Sequence, residues 1–367
     1  MKVVIAGGGT AGHVFPAIAL AQRLSARDVQ VHFTGSNRGL ETELVPAAGF
    51  ELTTMDIRPF PRRISGDLVR TAAAMYGAIK SCGPVVADAD VVVGMGGYAS
   101  VPAVVAAFRA KVSVVIHEQN AISGAANRYL SRRADVVALS FEAAETSFPI
   151  RVRKAVTGNP VREQVAQVGR GRDRLRSEAF DVLGLDPLRR TIVVFGGSQG
   201  ALHVDTVAAE ACERMAGRAD LQVLLLTGRA HLDRVASSLE REMTLKVEVL
   251  PFLDRMELAY SVADLVVSRA GATSIAETTV CGLPALLIPY PHATANHQEV
   301  NARALERAGA AEVILDADLT SKLLADRIRG LIYDAARLEG MAAASAAWGR
   351  PDAADRLADV VVAGVGR

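Results

Sequence analysis

Cysteine is scarce: Cys82, Cys212 and Cys281 are the only three in 367 residues, and they stand far apart. They form neither a disulfide framework nor a C-x-x-C metal pair, which points to a reducing compartment. Neither sign of charge predominates, since 41 Lys and Arg face 40 Asp and Glu for a formal net charge of +1. Near-neutrality excludes a broad nucleic-acid footprint, though not a local basic patch. Long charge-free runs are also few. One such run, residues 91–108, is broken by Gly94, Gly96, Gly97 and Pro102, so it reads as strand, glycine turn and buried helix rather than a membrane span. Low-complexity tracts are absent. No signal peptide is expected, because Met1 leads almost directly into an apolar run, and a membrane would then be met from one side only.

Half of the residues are hydrophobic, ample for buried sheets, and 367 residues exceed one ordinary core; two domains are expected. Two glycine-rich turns follow apolar runs about half a chain apart. Val3-Val4-Ile5-Ala6 leads into Gly7-Gly8-Gly9-Thr10-Ala11-Gly12-His13, and Ile192-Val193-Val194-Phe195 into Gly196-Gly197-Ser198-Gln199-Gly200. A strand entering a glycine turn before a helix offers backbone N–H groups and a positive helix end, a combination that binds phosphate. Two copies predict two similar domains facing a cleft. Short β-branched runs at 29–33, 91–93, 112–116, 136–139, 192–195, 223–226, 247–250, 265–267 and 285–288 alternate with Ala/Leu-rich stretches. That alternation predicts an α/β fold with parallel sheets between layers of helices. The halves also echo late: Asp90-Val91-Val92-Val93 opens onto Gly94-Met95-Gly96-Gly97, and Asp264-Leu265-Val266-Val267 onto Ser268-Arg269-Ala270-Gly271. The signals pause near Thr157-Gly158-Asn159-Pro160, dividing the chain into domains over 1–161 and 162–340. Beyond Met341 the pattern is helical, interrupted near Gly349-Arg350-Pro351.

Several motifs have competing readings. Gly7, Gly9 and Gly12 match the dinucleotide fingerprint G-x-G-x-x-G, but the second strand ends in Phe33-Thr34-Gly35-Ser36 without the carboxylate that NAD requires; Arg38 could hold an NADP phosphate instead. His13 and Val14 occupy the places of Lys and Ser/Thr, so the loop is no P-loop. Gly196 to Gly200 matches the hydrolase elbow G-x-S-x-G, with Ser198 as nucleophile and Asp264 and His292 or His297 following; a helix-capping, phosphate-touching Ser198 is the plainer reading, since a hydrolase leaves the duplication unexplained. Asp88-Ala89-Asp90 and Asp316-Ala317-Asp318 match the D-x-D of metal-dependent sugar transfer but read as surface turns, and no metal is assigned.

His13, at a helix start, is a candidate base near neutral pH; a helix-start residue bonded to the loop is the alternative. Glu277 lies in the first turns of a helix opened by Gly271, where it could grip ribose hydroxyls or merely complement the helix dipole. Residues 289–298 hold His292, Asn296, His297 and Gln298 in an uncharged polar loop after a strand, a setting suited to sugar hydroxyls. The stretch from Arg62-Arg63 through Leu68, Arg70, Met75, Tyr76, Ile79 and Lys80 mixes basic and apolar residues at near-helical spacing, as a membrane-surface helix or a core-facing one would.

Seven strings stand in one order: GGGTAGHVFP at 7–16, GGYASVPA at 96–103, HEQNAISG at 117–124, TGNPVR at 157–162, GGSQGA at 196–201, RAGATSIAE at 269–277 and PYPHATANHQEVNA at 289–302. Across nearly the whole chain this series resembles the MurG family, the N-acetylglucosaminyltransferases of glycosyltransferase family 28. The resemblance implies a GT-B fold: two Rossmann-like parallel-sheet domains facing a cleft, with a C-terminal helical segment over 341–367 packing back on the N-terminal domain. It implies inverting transfer of GlcNAc from UDP-GlcNAc to the 4-hydroxyl of MurNAc-pentapeptide in undecaprenyl-pyrophosphate-linked lipid I, giving lipid II for peptidoglycan. It implies no metal or other cofactor, and a place on the cytoplasmic face of the cell membrane, to which the basic-apolar stretch would contribute.

By the same resemblance, Thr10, Ala11 and Gly12 contact the donor sugar and shape the acceptor diphosphate site. Asn120 bonds the sugar, Arg162 and Ser198 hold the nucleotide phosphates, and Leu253 offers its backbone to uracil. Ala272, Thr273, Ser274, Ile275 and Ala276 bind phosphate through N–H groups, Glu277 takes the ribose, and Gln298 the donor sugar hydroxyls. Family members often carry Gly where this chain has Ala11, a change tolerated if φ there is negative. The charge on departing UDP would be met by helix ends, N–H groups and Arg162, with His13 as base and the domains closing over the donor. An NADP-dependent oxidoreductase, a Ser198 hydrolase and another UDP-sugar enzyme of this fold, such as a UDP-GlcNAc 2-epimerase, are the rival readings.

Overall fold

The computed structural model of the chain describes residues 1–57, 67–197, 200–239 and 242–364. It separates into two units: Met1–Arg162 together with Asp352–Arg367, and Glu163–Pro351.

The first unit is built on seven parallel strands, β1 (Lys2–Ala6), β2 (Gln30–Ser36), β3 (Glu51–Met55), β4 (Val91–Gly94), β5 (Ser113–Glu118), β6 (Val136–Leu139) and β7 (Arg153–Val156), in the order β3-β2-β1-β4-β5-β6-β7. The central strands are continuous apolar runs because both faces of the sheet are covered. Val3, Ile5, Val91 and Val93 point to one face, where helix Ala11–Ser25 adds Leu20 and Leu24. Val4, Ala6 and Val92 point to the other, under helices Asp67–Ala87 and Val101–Ala110.

The second unit repeats the plan with β8 (Arg190–Phe195), β9 (Leu221–Leu226), β10 (Lys246–Leu250), β11 (Leu265–Ser268), β12 (Ala285–Leu287) and β13 (Ala311–Val313), in the order β10-β9-β8-β11-β12-β13 and again parallel. Both sheets reverse their winding direction at one point, between β1 and β4 and between β8 and β11. In doubly wound sheets, ligands bind at the carboxyl ends of the strands beside that switch. The glycine turns at 7–12 and 196–200 leave β1 and β8, and their late echoes at 94–97 and 268–271 leave β4 and β11. The repetition seen along the chain is therefore two copies of one switch point.

The stretch expected to return as one piece, 341–367, divides. Helix Ala335–Trp348 packs on helices Ala272–Val280 and Ser321–Ile332 of the second unit. Gly349 ends it against that unit, where a Cβ would stand 2.5 Å from the Thr279 carbonyl oxygen. Only helix Ala353–Ala363 joins the first unit. Its Leu357, Ala358 and Val361 enter the core with Val3 and Ile5, and Arg27 reaches Asp359 at 2.6 Å.

Candidate active site

In the first unit, the 7–12 turn runs from β1 into helix Ala11–Ser25. Thr10 stands at the N-cap position, and its Oγ1 lies 3.0 Å from His13 Nδ1. Ala11 is the first residue of the helix and is not among the residues with positive φ, so its methyl group costs no backbone strain. The His13 ring lies along the 96–97 peptide: a Cβ on Gly96 would stand 3.4 Å from its Nε2. Gly96 and Gly97 have φ of +91° and +72°, a region that glycine enters freely, and neither puts a side chain over the imidazole. Beneath the turn lies a group that the motifs did not reveal. The buried carboxylate of Glu41 accepts the Gly9 N–H at 2.7 Å and the Ser36 N–H at 2.8 Å.

The loop after β5 is organised by Glu118, also buried. Its carboxylate accepts the N–H groups of Asn120 and Gly124, each at 3.0 Å, and Asn127 Nδ2 at 2.9 Å. Bonds to a charged group contribute about 1.5–3 kcal/mol each, so Glu118 sets where Asn120 stands. Its neighbour His117 is fully buried, and burial pushes its pKa down to about 4; the bond to Gly158 opposes the shift, and His13 adds to it. His117 Nε2–H donates to the Gly158 carbonyl at 3.1 Å. Arg162 lies with its guanidinium 4.4 Å from the centre of the Phe15 ring, on the helix that follows the glycine turn.

In the second unit, Ser198 lies outside the described residues. The rest of its turn is braced by Asp205, which accepts the Ala201 N–H at 3.0 Å and pairs with His231 Nδ1 at 2.9 Å. Burial holds the Asp205 carboxyl above its usual range, with His231 and the Ala201 N–H acting against the shift. Helix Ala272–Val280 starts at Gly271 without a side-chain cap, so its first turn presents backbone donors together with the positive helix end. Ala272 and Ile275 are buried, while Thr273, Ser274 and Ala276 are half-buried. Glu277 is buried one turn further on, and its Oε2 accepts the hydroxyl of Tyr260 at 3.0 Å. Gln298, expected in a loop, is the second residue of helix His297–Arg307, and its Oε1 accepts the N–H of Tyr290 in the preceding loop at 3.0 Å. Arg269 donates to the carbonyls of Ile288 at 3.3 Å and Pro289 at 3.2 Å and pairs with Asp316, pinning the end of β12. Leu253 is half-buried against the cluster around Tyr260.

The rival motifs come apart. Asp264 precedes β11 and accepts the Thr191 N–H at 2.7 Å. Thr191 lies four residues before Phe195, so at about 3.3 Å per residue Asp264 is roughly 13 Å from the end of β8, at the amino end of the strand. Arg38 turns to Asp56 at 3.1 Å. Asp88 pairs with Lys2, whose backbone N–H meets Asp90 at 2.7 Å. Asp316 is taken up by Arg269 and His203. Among the described residues, no three His, Cys, Asp or Glu side chains gather as metal ligands would. Arg62 and Arg63 of the basic-apolar stretch fall outside the described residues, as does the Leu68 side chain.

The chain is similar to known proteins along almost its whole length. The glycosyltransferase family 28 N-terminal domain matches residues 3–139, and the family's C-terminal domain matches 191–357. A UDP-N-acetylglucosamine–N-acetylmuramyl-(pentapeptide) pyrophosphoryl-undecaprenol N-acetylglucosamine transferase of Halothermothrix orenii is 41% identical, over 98% of each chain. Its namesake in Oenococcus oeni is 40% identical over 99% of this chain and 97% of its own. The crystal structure of Acinetobacter baumannii MurG superposes with a TM-score of 0.77 at 28% identity, covering 99% of both chains. A UDP-GlcNAc 2-epimerase from Neisseria meningitidis, at 13% identity and a TM-score of 0.68, shares the fold alone. Two Rossmann-like units of the GT-B type, matched in sequence over almost their whole length, place the chain in glycosyltransferase family 28, to which it belongs.

Proposed function

We propose that the enzyme transfers GlcNAc from UDP-GlcNAc to the 4-hydroxyl of the MurNAc-pentapeptide carried on undecaprenyl pyrophosphate, converting lipid I to lipid II with inversion at the anomeric carbon. The observation that carries this reading is the 41% identity, over 98% of the chain, to a transferase named for that reaction. On the second unit, the uncapped first turn of helix Ala272–Val280 takes a phosphate of UDP and stabilises the charge that grows as UDP departs. Glu277 takes the ribose hydroxyls. Gln298, whose carbonyl end is bonded to the preceding loop, meets sugar hydroxyls with its NH2 end, and the backbone at Leu253 meets uracil. On the first unit, Asn120 bonds a sugar, and His13 removes the proton from the attacking hydroxyl. For Nε2 to act as that base, Nδ1–H donates to Thr10 Oγ1, which fixes the tautomer and the ring.

The acceptor's lipid calls for a membrane surface. Among the described residues, no helix is long and apolar enough to cross a membrane. Peripheral attachment to the cytoplasmic face would use aromatics beside cations. Tyr76 and Tyr129 are 63% and 69% exposed, with Arg109 and Arg132 at 6.0 and 5.7 Å from their rings. Sedimentation with anionic and with neutral vesicles tests this, since Tyr76→Ser and Tyr129→Ser should each weaken binding to the anionic ones. The reaction itself is tested with UDP-GlcNAc and a short-chain lipid I analogue. Acceptor-dependent UDP release with a disaccharide product is expected; UDP release without disaccharide would overturn the reading.

A further inference from the structure

Glu41 is 1% exposed, and both carboxylate oxygens are spent on backbone N–H groups. Three glycines make room for it. A Cβ on Gly8 would fall 2.1 Å from its Oε1, one on Gly35 2.7 Å from its Cγ, and one on Gly39 2.0 Å from its Oε2. Gly8 of the glycine-rich turn thus leaves space for a carboxylate supplied by the chain itself. In a dinucleotide site the N–H groups of such a turn face a pyrophosphate. Here the Gly9 N–H is already bonded to an internal anion, which also repels another one.

We propose that Glu41 is a positioning residue for the transfer reaction: it clamps the 7–12 turn in the form that presents Thr10 and His13, and it bars a phosphate from Gly9. The turn is held on one side by the Gly9–Glu41 bond. On the other side the Gly8 carbonyl lies against the 96–97 turn, 3.3 Å from where a Gly97 Cβ would be. Gly9 has φ +89°, and a glycine peptide released from its partner has several basins open to it. Rotation there would carry Thr10, one residue on, away from the His13 nitrogen it meets at 3.0 Å. With a carboxylate beneath it, Gly9 faces uncharged sugar hydroxyls rather than the acceptor diphosphate. That last point, and the effect on turnover, rest on the functional reading above.

The test compares the wild type, Glu41→Gln and Gly39→Ala. Glu41→Gln keeps the shape but turns an NH2 toward one of the two N–H donors. Gly39→Ala pushes a methyl group into the carboxylate without removing its charge. Both should lower kcat for disaccharide formation at least tenfold while UDP affinity stays within twofold, and amide exchange over residues 7–13, followed by mass spectrometry, should quicken at least tenfold. The double variant should be no slower than the worse single one, because both act through one clamp. Wild-type kcat in Glu41→Gln, or unchanged exchange over 7–13, would overturn the clamp. A loss of UDP binding in step with kcat would mark a merely structural role. If the wild type forms no disaccharide, the functional reading fails, and exchange, which needs no substrate, still decides the clamp.

Discussion

Replacing Glu277 with Gln is the sharpest probe of the donor side. Glu277 is buried in the first turns of helix Ala272–Val280, and Tyr260, itself fully buried, donates to its Oε2 at 3.0 Å. The amide keeps the volume and one acceptor but loses the charge and turns the other acceptor into a donor. A hydrogen bond to a charged group contributes about 1.5–3 kcal/mol, so one lost ribose bond should weaken UDP about 10- to 150-fold in Kd. Titration calorimetry at constant pH reads that change directly. The same experiment with 2′-deoxy-UDP isolates the cause. The wild type should bind the deoxy nucleotide more weakly than UDP, whereas Glu277→Gln should discriminate far less between them, as coupled partners do in a double-mutant cycle. Tyr260→Phe keeps the ring that meets Phe195 edge-on at a centroid distance of 6.2 Å and should cost less than Glu277→Gln, since it loosens the carboxylate without removing it. If Glu277→Gln kept the wild-type preference for UDP over 2′-deoxy-UDP, Glu277 would not be the ribose ligand.

His13→Ala should lower kcat by about 10²-fold or more, the usual contribution of a general base, with UDP affinity unchanged; equal turnover in a coupled UDP-release assay would remove His13 from that role. Leu357→Ala empties a fully buried position in the first unit and should cost about 2–5 kcal/mol, lowering the calorimetric transition of that unit while leaving the second unit's in place; a shift in the second alone would contradict the packing. His117 is neutral in the fold, its pKa pushed down to about 4 from an ordinary 6.5 by burial. Between those values the unfolded chain binds the extra proton, so stability should fall as pH drops from 6.5 toward 4, by on the order of 3 kcal/mol. Urea unfolding at pH 7 and pH 5 should show this slope in the wild type and a flatter one in His117→Asn; equal slopes would assign the titration to another group.

Which strands could be recognised in the sequence follows from where they lie in the sheets. Central strands such as β1, β4, β6 and β8 are covered on both faces, so they stand out as unbroken apolar runs. The strands that no β-branched run marked are β3, β7 and β13, all at sheet edges; the fourth edge strand, β10, was marked by Val247 and Val249 although Glu248 stands between them. β3 and β7 contain a single buried residue between them, Met55, and β13 is only three residues long. An edge strand needs no apolar run, because one side of its ladder is open. The helical tail was legible as a helical pattern interrupted near Gly349-Arg350-Pro351, but not the separate allegiance of its two parts, because only packing decides which unit each helix joins.

Residue chemistry at fixed spacing was enough to place the two glycine turns, their late echoes, the helix opened by Gly271 and the parallel α/β units, since each signal is complete within a few residues. The tertiary structure alone decided the distant partners of the buried carboxylates. Glu41 meets Gly9 across 32 positions, Asp205 meets His231 across 26, and Glu277 meets Tyr260 across 17. A buried charge must find donors wherever the fold brings them, and those distances along the chain leave no local pattern to read.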